Sequence, residues 1–199
     1  MTFSEWLREQ CEPEWTAVVT HPFAMAINRG EADMRHYLVQ DFQFVDAFTA
    51  LLGAAVANAD TFEARVPYGK FLGQVATTEE KTYFHRAIEE LGAEEEPPTQ
   101  VTRDFQDLMA EVRTSQDYGK IVAVLCVAEW TYLGWASRAE HPLPDSWVHR
   151  EWIELHEGPE FRAWVDFLRG ELDRQEPRDE LLEVFRRAVE LERRFFDEA

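Results

Sequence analysis

Apolar side chains recur every three or four residues along most of this chain, which is the spacing that places them on one face of an α-helix. The pattern is clearest over residues 33–58, where it is carried by Met34, Tyr37, Leu38, Phe44, Val45, Phe48, Leu51, Leu52 and Ala55. No stretch alternates with the period of two that predicts a β-strand. Nine glycines and nine prolines among 199 residues are fewer than average, so the elements are long. The sequence therefore predicts an all-α fold, with a single domain over residues 1–199 that holds seven to nine helices.

Prolines, glycines and polar residues mark the ends of the predicted helices. Pro13 is expected to kink or restart the first helix, because proline removes one hydrogen bond from the helical ladder. Thr77 and Glu80 have the spacing of a capping box, which predicts the start of a helix that ends at Gly92. Besides a short segment over 21–30 and a further stretch over 61–73, the predicted helices cover 3–19, 33–58, 77–92, 99–113, 116–138, 146–156, 159–174 and 178–198.

The charge balance excludes several classes of partner. The chain has 39 acidic and 20 basic residues, a net charge of −19. A field of that sign repels phosphate backbones, so we expect no nucleic-acid binding, and it disfavours anionic membrane surfaces. No run approaches the length of a membrane-spanning helix, and the first residues do not form a signal peptide. Cys11 and Cys126 form neither a disulfide framework nor a zinc spacing, so a reducing, cytoplasmic location is expected.

The excess of acidic residues, with only three lysines, suggests a halophilic protein from a high-salt cytoplasm, although an ordinary acidic protein stays an alternative. Close carboxylates repel one another, and molar salt screens that repulsion beyond about 3 Å. We therefore expect the melting temperature to rise substantially between low and molar potassium chloride. A flat or falling curve in a thermal melt would remove the high-salt interpretation.

Three acidic residues lie where the helical spacing requires an apolar side chain: Asp41, Glu129 and Glu192. Burying an unpaired carboxylate is costly, or it raises the pKa of the group until the group is neutral. One explanation is chance, because some of 39 acidic residues will reach the edge of an apolar face or pair with a buried partner. The other explanation is a functional site. Three such residues on three long helices, all beside aromatic residues, favour the site.

Carboxylates beside Phe and Tyr rings suit a planar heteroaromatic ligand, because the rings stack and the carboxylates bind amino and ring-nitrogen protons. A carboxyl group whose pKa is near neutrality also serves as a general acid or base. A carboxylate-bridged pair of metal ions is the alternative, since helical bundles build such sites from paired Glu-x-x-His motifs. Asp33 and His36 form the single pair with this spacing. We therefore expect no metal site and no cofactor.

At these residues the chain resembles the TenA/thiaminase II family, a branch of the haem-oxygenase-like all-helical fold. The resemblance covers nearly the whole chain. It rests on His21-Pro22-Phe23, Gly30, Tyr37-Leu38-Val39-Gln40-Asp41-Phe42, Phe44, Ala128-Glu129-Trp130-Thr131-Tyr132, Glu151-Trp152-Ile153, Pro159-Glu160-Phe161 and Glu192-Arg193-Arg194-Phe195-Phe196. Each motif is modest alone, but their order and spacing are specific. The resemblance implies a haem-oxygenase-like multi-helix bundle.

The resemblance implies aminohydrolase chemistry on thiamin-derived pyrimidines, chiefly conversion of 4-amino-5-aminomethyl-2-methylpyrimidine to its hydroxymethyl form in thiamin salvage. By position, Asp41 matches the acid that binds the pyrimidine ring and its amino group, and Phe44 matches the stacking aromatic residue. Glu192 matches the acid placed for proton transfer. The other substrate-binding residues that the resemblance implies are Tyr132, Phe105, His156 and Tyr37.

One departure from the family changes the expected chemistry. The resemblance implies a nucleophilic cysteine four residues before Tyr132, and that position is Ala128 here. Cys126 lies two residues earlier, roughly 200° around the helix, so we expect a core residue there and not a substitute nucleophile. Glu129 resembles the branch of the family that lacks the cysteine and carries a glutamate, which is similar to aminopyrimidine or formyl-aminopyrimidine hydrolases. We expect Glu129 to act as the nucleophile or to activate water.

Two other functions stay open. The chain could bind a pyrimidine or thiamin without turnover, because the family's nucleophile is absent. It could also be a metal-dependent oxidase on the same fold, which needs ligands that the sequence does not offer. The resemblance further implies a homo-oligomer, either a tetramer or a dimer.

Overall fold

The computed structural model of the chain describes the backbone of residues 1–199 and all side chains except those of residues 78–81. Helices hold 76% of the residues, and none of the described residues forms a β-strand. The all-α prediction is therefore confirmed.

Twelve α-helices and one π-helical stretch follow one another along the described backbone. The α-helices are α1 (Phe3–Glu9), α2 (Glu14–Val19), α3 (Pro22–Asn28), α4 (Arg35–Phe42), α5 (Phe44–Asn58), α6 (Phe62–Gln74), α7 (His85–Leu91), α8 (Gln100–Ser115), α9 (Tyr118–Ala136), α10 (Trp147–His156), α11 (Pro159–Asp173) and α12 (Asp179–Asp197). The π-helical stretch, Val75–Phe84, joins α6 directly to α7.

The observed count exceeds the predicted seven to nine partly because two predicted helices are each divided. The helix predicted over 3–19 ends at Glu9 and restarts at Glu14, with Pro13 at the N-cap of α2. The helix predicted over 33–58 is interrupted at Gln43, whose side-chain amide donates to the carbonyl of Glu96 at 3.1 Å. The apolar spacing continues across that break, so periodicity alone does not reveal it. The break leaves Asp41 near the end of α4 and Phe44 at the start of α5.

The predicted helix start at Thr77 is wrong, because helical backbone continues from Phe62 to Leu91. The Thr77 hydroxyl donates to the carbonyl of Gly73 at 2.6 Å, as a residue within a helix does. The side chain of Glu80, the other half of the predicted capping box, lies outside the described residues. The predicted end is confirmed, since Gly92 takes the left-handed conformation that closes α7 (φ 60°).

Helix α9 forms the centre of the bundle and packs against α2, α5, α8, α10, α11 and α12. It is buried on nearly every side, which explains why its sequence is almost wholly apolar. Gly134 permits the close approach of α2, because a Cβ there would lie 2.7 Å from a methyl carbon of Val19. Glu129 is an exception in this mostly apolar helix, because it is a charged residue that is buried within the bundle. No described helix is both long and apolar enough to cross a membrane.

Candidate active site

A cavity of about 600 Å³, part of it open to solvent, lies between the central helix and the helices around it. Its lining combines apolar and aromatic side chains with a few polar groups, which is typical of small-molecule sites. Helices α4, α5, α8, α9, α10 and α12 and the π-helical stretch contribute its lining: Asp41, Phe44, Val45, Phe48, Val75, Phe84, Phe105, Met109, Ala128, Glu129, Tyr132, Trp152, His156, Glu192 and Phe195.

The three acidic residues found in the apolar stripes line this one cavity from three helices. Asp41 is half-buried on α4, Glu129 is 8% exposed on α9, and Glu192 is 2% exposed on α12. Burial raises the pKa of Glu192 well above its usual value, and the nearby charges of Asp41 and Glu129 raise it further. Burial therefore favours the protonated form of Glu192, which is the form that can donate a proton inside the cavity.

Aromatic rings form the apolar wall opposite these acids. Phe44 meets the edge of Phe105 at 5.4 Å and that of Phe195 at 5.0 Å between ring centroids. All three side chains line the cavity and are at least 90% buried. The wall therefore offers stacking surface to a planar ligand that the carboxyl groups reach with hydrogen bonds.

A line of hydrogen bonds leads to Asp41, and its direction follows from the carboxylate at its end. The Tyr132 hydroxyl donates its one proton to Asp41 Oδ1 at 3.4 Å, so in the 2.8 Å bond between the two tyrosines Tyr37 is the donor. The Trp152 indole N–H, which can only donate, bonds to the Tyr37 hydroxyl oxygen at 3.2 Å. Burial raises the pKa of both tyrosines, so each keeps its proton. The line ends by presenting a proton to the Asp41 carboxylate.

Tyr37 takes a different position from the one expected of a substrate-binding residue. Of the described side chains, those that line the cavity include Tyr132 but not Tyr37. Tyr37 is 1% exposed and lies behind Tyr132, between it and Trp152. A direct contact between Tyr37 and a substrate stays a prediction, and in the structure the Tyr37 hydroxyl contacts that of Tyr132.

His156 is held in one uncharged form on the cavity wall. Its Nδ1 lies 2.8 Å from the carbonyl oxygen of Trp152, which accepts only, so Nδ1 carries the proton and Nε2 a lone pair. Burial lowers the pKa of His156 to about 4, which keeps the ring neutral at pH 7. The ring lies 4.8 Å from that of Tyr132. The cavity therefore gains a neutral wall residue and no positive charge from His156.

The structure separates the two cysteine positions that matter for nucleophilic chemistry. Ala128 lines the cavity, at the position where the family resemblance implies a cysteine. Cys126 is fully buried and is absent from the described cavity lining, in agreement with the helical register. Burial also raises the pKa of the Cys126 thiol above its ordinary value. Of the α9 side chains described in the cavity lining, Glu129 thus carries a carboxyl group and none carries a thiol.

The residues proposed for metal binding by the acid-x-x-His spacing do not form a metal site. His36 pairs with Glu96 at 2.6 Å, and Asp33 pairs with Arg35, in both cases at the protein surface. Among the described residues, no group of three or more His, Cys, Asp or Glu side chains is arranged to hold a metal ion.

Two tryptophans contact the site residues and were missed by sequence reasoning. Trp152 begins the line of hydrogen bonds to Asp41, as described above. The Trp164 indole N–H on α11 donates to Glu129 Oε2 at 3.0 Å. Both tryptophans fall on apolar helix faces, where a core position is the ordinary interpretation. Only the packing of α11 on α9 brings Trp164 to a residue 35 positions away.

The model of the TENA/THI-4/PQQC family matches residues 8–199. An aminopyrimidine aminohydrolase from Helicobacter pylori is 22% identical over 216 residues, which cover 100% of this chain and 99% of that protein.

Solved structures of the same kind share the fold. A TenA homologue from P. horikoshii OT3 superposes with a TM-score of 0.87 at 20% identity, covering 99% of this chain and 97% of that one. A TenA family transcription regulator from Silicibacter sp. TM1040 superposes with a TM-score of 0.85 at 20% identity, covering 98% and 94%. The family model spans nearly the whole chain, and the fold agrees along the same length. The chain belongs to the TENA/THI-4/PQQC family.

Proposed function

We propose that the protein is an aminopyrimidine aminohydrolase that acts on thiamin-derived pyrimidines in thiamin salvage. The observation that carries this proposal is the convergence of Asp41, Glu129 and Glu192 on one aromatic cavity, where burial favours the protonated form of Glu192. Such a set can bind an amino-substituted ring and protonate a leaving amine in the same place. The similarity to the aminopyrimidine aminohydrolase from Helicobacter pylori supports the same chemistry.

In the proposed complex the pyrimidine ring lies against the aromatic wall with Phe44 as the stacking residue. Asp41 accepts hydrogen bonds from the ring's amino group, and Tyr132 keeps that carboxylate oriented. The wall side chains Phe105 and His156 complete the ring's surroundings. The cavity contains several carboxyl groups and a neutral histidine, which suits a ligand that carries amino groups.

The proposed reaction replaces a C–N bond with a C–O bond. The substrate R–CH₂–NH₂ and water give R–CH₂–OH and ammonia, without any change of oxidation state. Glu192 donates its proton to the leaving amine as the C–N bond breaks. The Glu129 carboxylate either takes a proton from the attacking water or attacks the carbon itself. In the second case an ester of Glu129 forms, and water then hydrolyses it to release the alcohol and restore the carboxylate. A formyl-amino pyrimidine is the related substrate, in which the bond that breaks lies between nitrogen and the formyl carbon.

A panel of substrates tests this proposal. Purified protein is incubated with 4-amino-5-aminomethyl-2-methylpyrimidine, its formyl-amino counterpart and thiamin, and the ammonia, formate or thiazole released is measured. We expect turnover of the amino or formyl-amino pyrimidine and little cleavage of thiamin. An analogue with a methyl group in place of the aminomethyl group is the control, because it can bind but has no leaving amine. Absence of turnover with all three compounds contradicts the proposal.

A second candidate is a pyrimidine-binding protein without turnover. It is favoured by Ala128, which lines the cavity where the resemblance implies a nucleophilic cysteine. A protein of the same fold, from Silicibacter sp. TM1040, is a TenA family transcription regulator. Tight binding of the same panel with no product in any reaction favours this candidate over the enzyme.

Cys126 is expected to be dispensable for turnover. It is fully buried and its thiol pKa is raised by burial, so a reactive thiolate is disfavoured. Cys126→Ala and Cys126→Ser should keep kcat within about threefold of the wild type, with a loss of stability from the altered packing. Steady-state kinetics and thermal melts of both variants check this. A folded variant that loses about a thousandfold in kcat, about 4 kcal/mol of barrier, would identify this thiol as the nucleophile.

A further inference from the structure

The Glu129 side chain accepts a hydrogen bond from a residue outside the described cavity lining. The indole N–H of Trp164 donates to Glu129 Oε2 at 3.0 Å, and both side chains are less than 10% exposed. An indole nitrogen has one hydrogen and accepts nothing, so this contact has a single direction. The bond is charge-assisted when the carboxylate is ionised, and such bonds are the stronger kind.

The indole itself is held by its neighbours, which fixes the direction of its N–H. Trp164 stacks on Phe71 of α6, with 4.3 Å between ring centroids and 17° between ring planes. It meets the edge of Tyr68 at 5.7 Å and 90°, and it lies nearly parallel to Phe167 at 5.7 Å. A ring packed on several sides in this way cannot turn its N–H away from Glu129 without disturbing α6.

Trp164 does not belong to the cavity lining that the described residues form. It lies instead beside the outer groove between α6, α10 and α11, on the far side of Glu129. A substrate in the cavity therefore meets Glu129 and not the indole. Any effect of Trp164 on the reaction must pass through the orientation of that carboxylate.

We propose that Trp164 is a positioning residue, which orients the Glu129 carboxylate for its part in the reaction. A glutamate side chain has three rotatable bonds, so a carboxylate at the wall of a cavity does not keep one direction by itself. A donor fixed by a second helix restricts it to the geometry that the reaction needs. The inference rests on the proposed function, since it concerns the group that attacks or activates water.

Trp164→Phe is the first arm of the test, because it removes the N–H and keeps an aromatic ring on Phe71. We expect kcat to fall about 10–100-fold, the effect of a misdirected reacting group, while KM changes by less than about threefold. In a Glu129→Gln background the same substitution should cost less than about threefold, because its target is gone. Trp130→Phe is the matched control on α9, where the ring contacts Trp15 and Arg169, and it should leave turnover unchanged.

The second arm is independent of activity. In a ¹H–¹⁵N spectrum of the indole groups, the signal absent from Trp164→Phe belongs to Trp164. Glu129→Gln should move that signal upfield and speed its exchange with solvent, because a neutral acceptor binds the N–H more weakly. If Trp164→Phe does not fold, the spectrum of Glu129→Gln alone tests the inference. One indole signal should then move more than the others.

The two arms separate the inference from the proposed function. If the wild type turns over no pyrimidine while the Trp164 signal responds to Glu129→Gln, the proposed function fails. The hydrogen bond that orients the Glu129 carboxylate is then still supported. The inference is overturned if that signal does not move. It is also overturned if Trp164→Phe leaves kcat unchanged. The same holds if Trp164→Phe lowers kcat by the same factor in the Glu129→Gln background as in the wild type.

Discussion

Glu192→Gln and Glu129→Gln are expected to lower kcat by about 10²–10⁴, the usual contribution of a positioned acid or base. The amide keeps the shape of each side chain and removes its ability to transfer a proton. Burial and the charges of Asp41 and Glu129 raise the pKa of Glu192 and favour its protonated form, so its replacement removes the proposed proton donor for the leaving amine. Initial rates with the aminopyrimidine at saturating concentration measure the loss.

The same Glu192→Gln variant is expected to melt higher than the wild type at pH 8. A carboxyl group whose pKa is higher in the folded than in the unfolded state binds more protons when folded, so stability falls as pH rises above the unfolded-state value. Glutamine has no such dependence. The difference in melting temperature should be small near pH 4 and grow toward pH 8, at about 2–4 °C for each kcal/mol in a chain of this size.

Glu190→Gln is the matched control for this prediction. Glu190 lies two residues before Glu192 on α12 and is exposed to solvent. Its replacement should change neither kcat nor the pH dependence of the melting temperature. If Glu192→Gln melts lower than the wild type across the pH range, Glu192 is a structural partner of another buried group, and its assignment as the proton donor fails.

Asp41→Asn is expected to weaken aminopyrimidine binding by about 10–150-fold. A hydrogen bond to a charged group contributes about 1.5–3 kcal/mol, and each 1.4 kcal/mol corresponds to a factor of ten in Kd. The asparagine amide oxygen can still accept from Tyr132, but as a neutral acceptor it makes a weaker bond than the carboxylate does. Titration calorimetry with the analogue that lacks the leaving amine measures Kd without turnover.

Asp46→Asn serves as the control for binding, because Asp46 is an exposed acid on the neighbouring helix α5. It removes the same charge at a similar place in the sequence, so it reports any general effect of the net charge on affinity. Equal Kd values for Asp41→Asn and the wild type would remove Asp41 from the binding site.

Periodicity predicted the helices of the second half of the chain closely. The helix predicted over 178–198 is observed as Asp179–Asp197, and the one predicted over 159–174 as Pro159–Asp173. Each has one apolar face and clear end signals, so the pattern specifies both position and length. The interruption at Gln43 and the π-helical stretch Val75–Phe84 escaped prediction, because neither changes the three-and-four spacing of apolar residues.

The acids of the candidate site could be found from the sequence because each one violates a local pattern. Asp41, Glu129 and Glu192 stand out against apolar stripes, and the cavity they line follows from how the stripes pack. Trp164 fits the apolar pattern of its helix, since a tryptophan on an apolar face is ordinary. Its contact with Glu129 depends on the register between α9 and α11, which a single sequence does not specify. The position of Tyr37 behind Tyr132 likewise depends on how the helices pack, which a single sequence does not specify.

The most direct test of the central claim is a combined measurement of melting temperature and turnover for Asp41→Asn, Glu129→Gln and Glu192→Gln. If the three acids serve a site, every variant melts at or above the wild-type temperature, since each loses a charge or a carboxyl group repelled by its neighbours. Binding then falls in Asp41→Asn, and kcat falls about 10²–10⁴-fold in the other two. The account is contradicted if all three variants melt markedly lower than the wild type and turn over the aminopyrimidine at the normal rate.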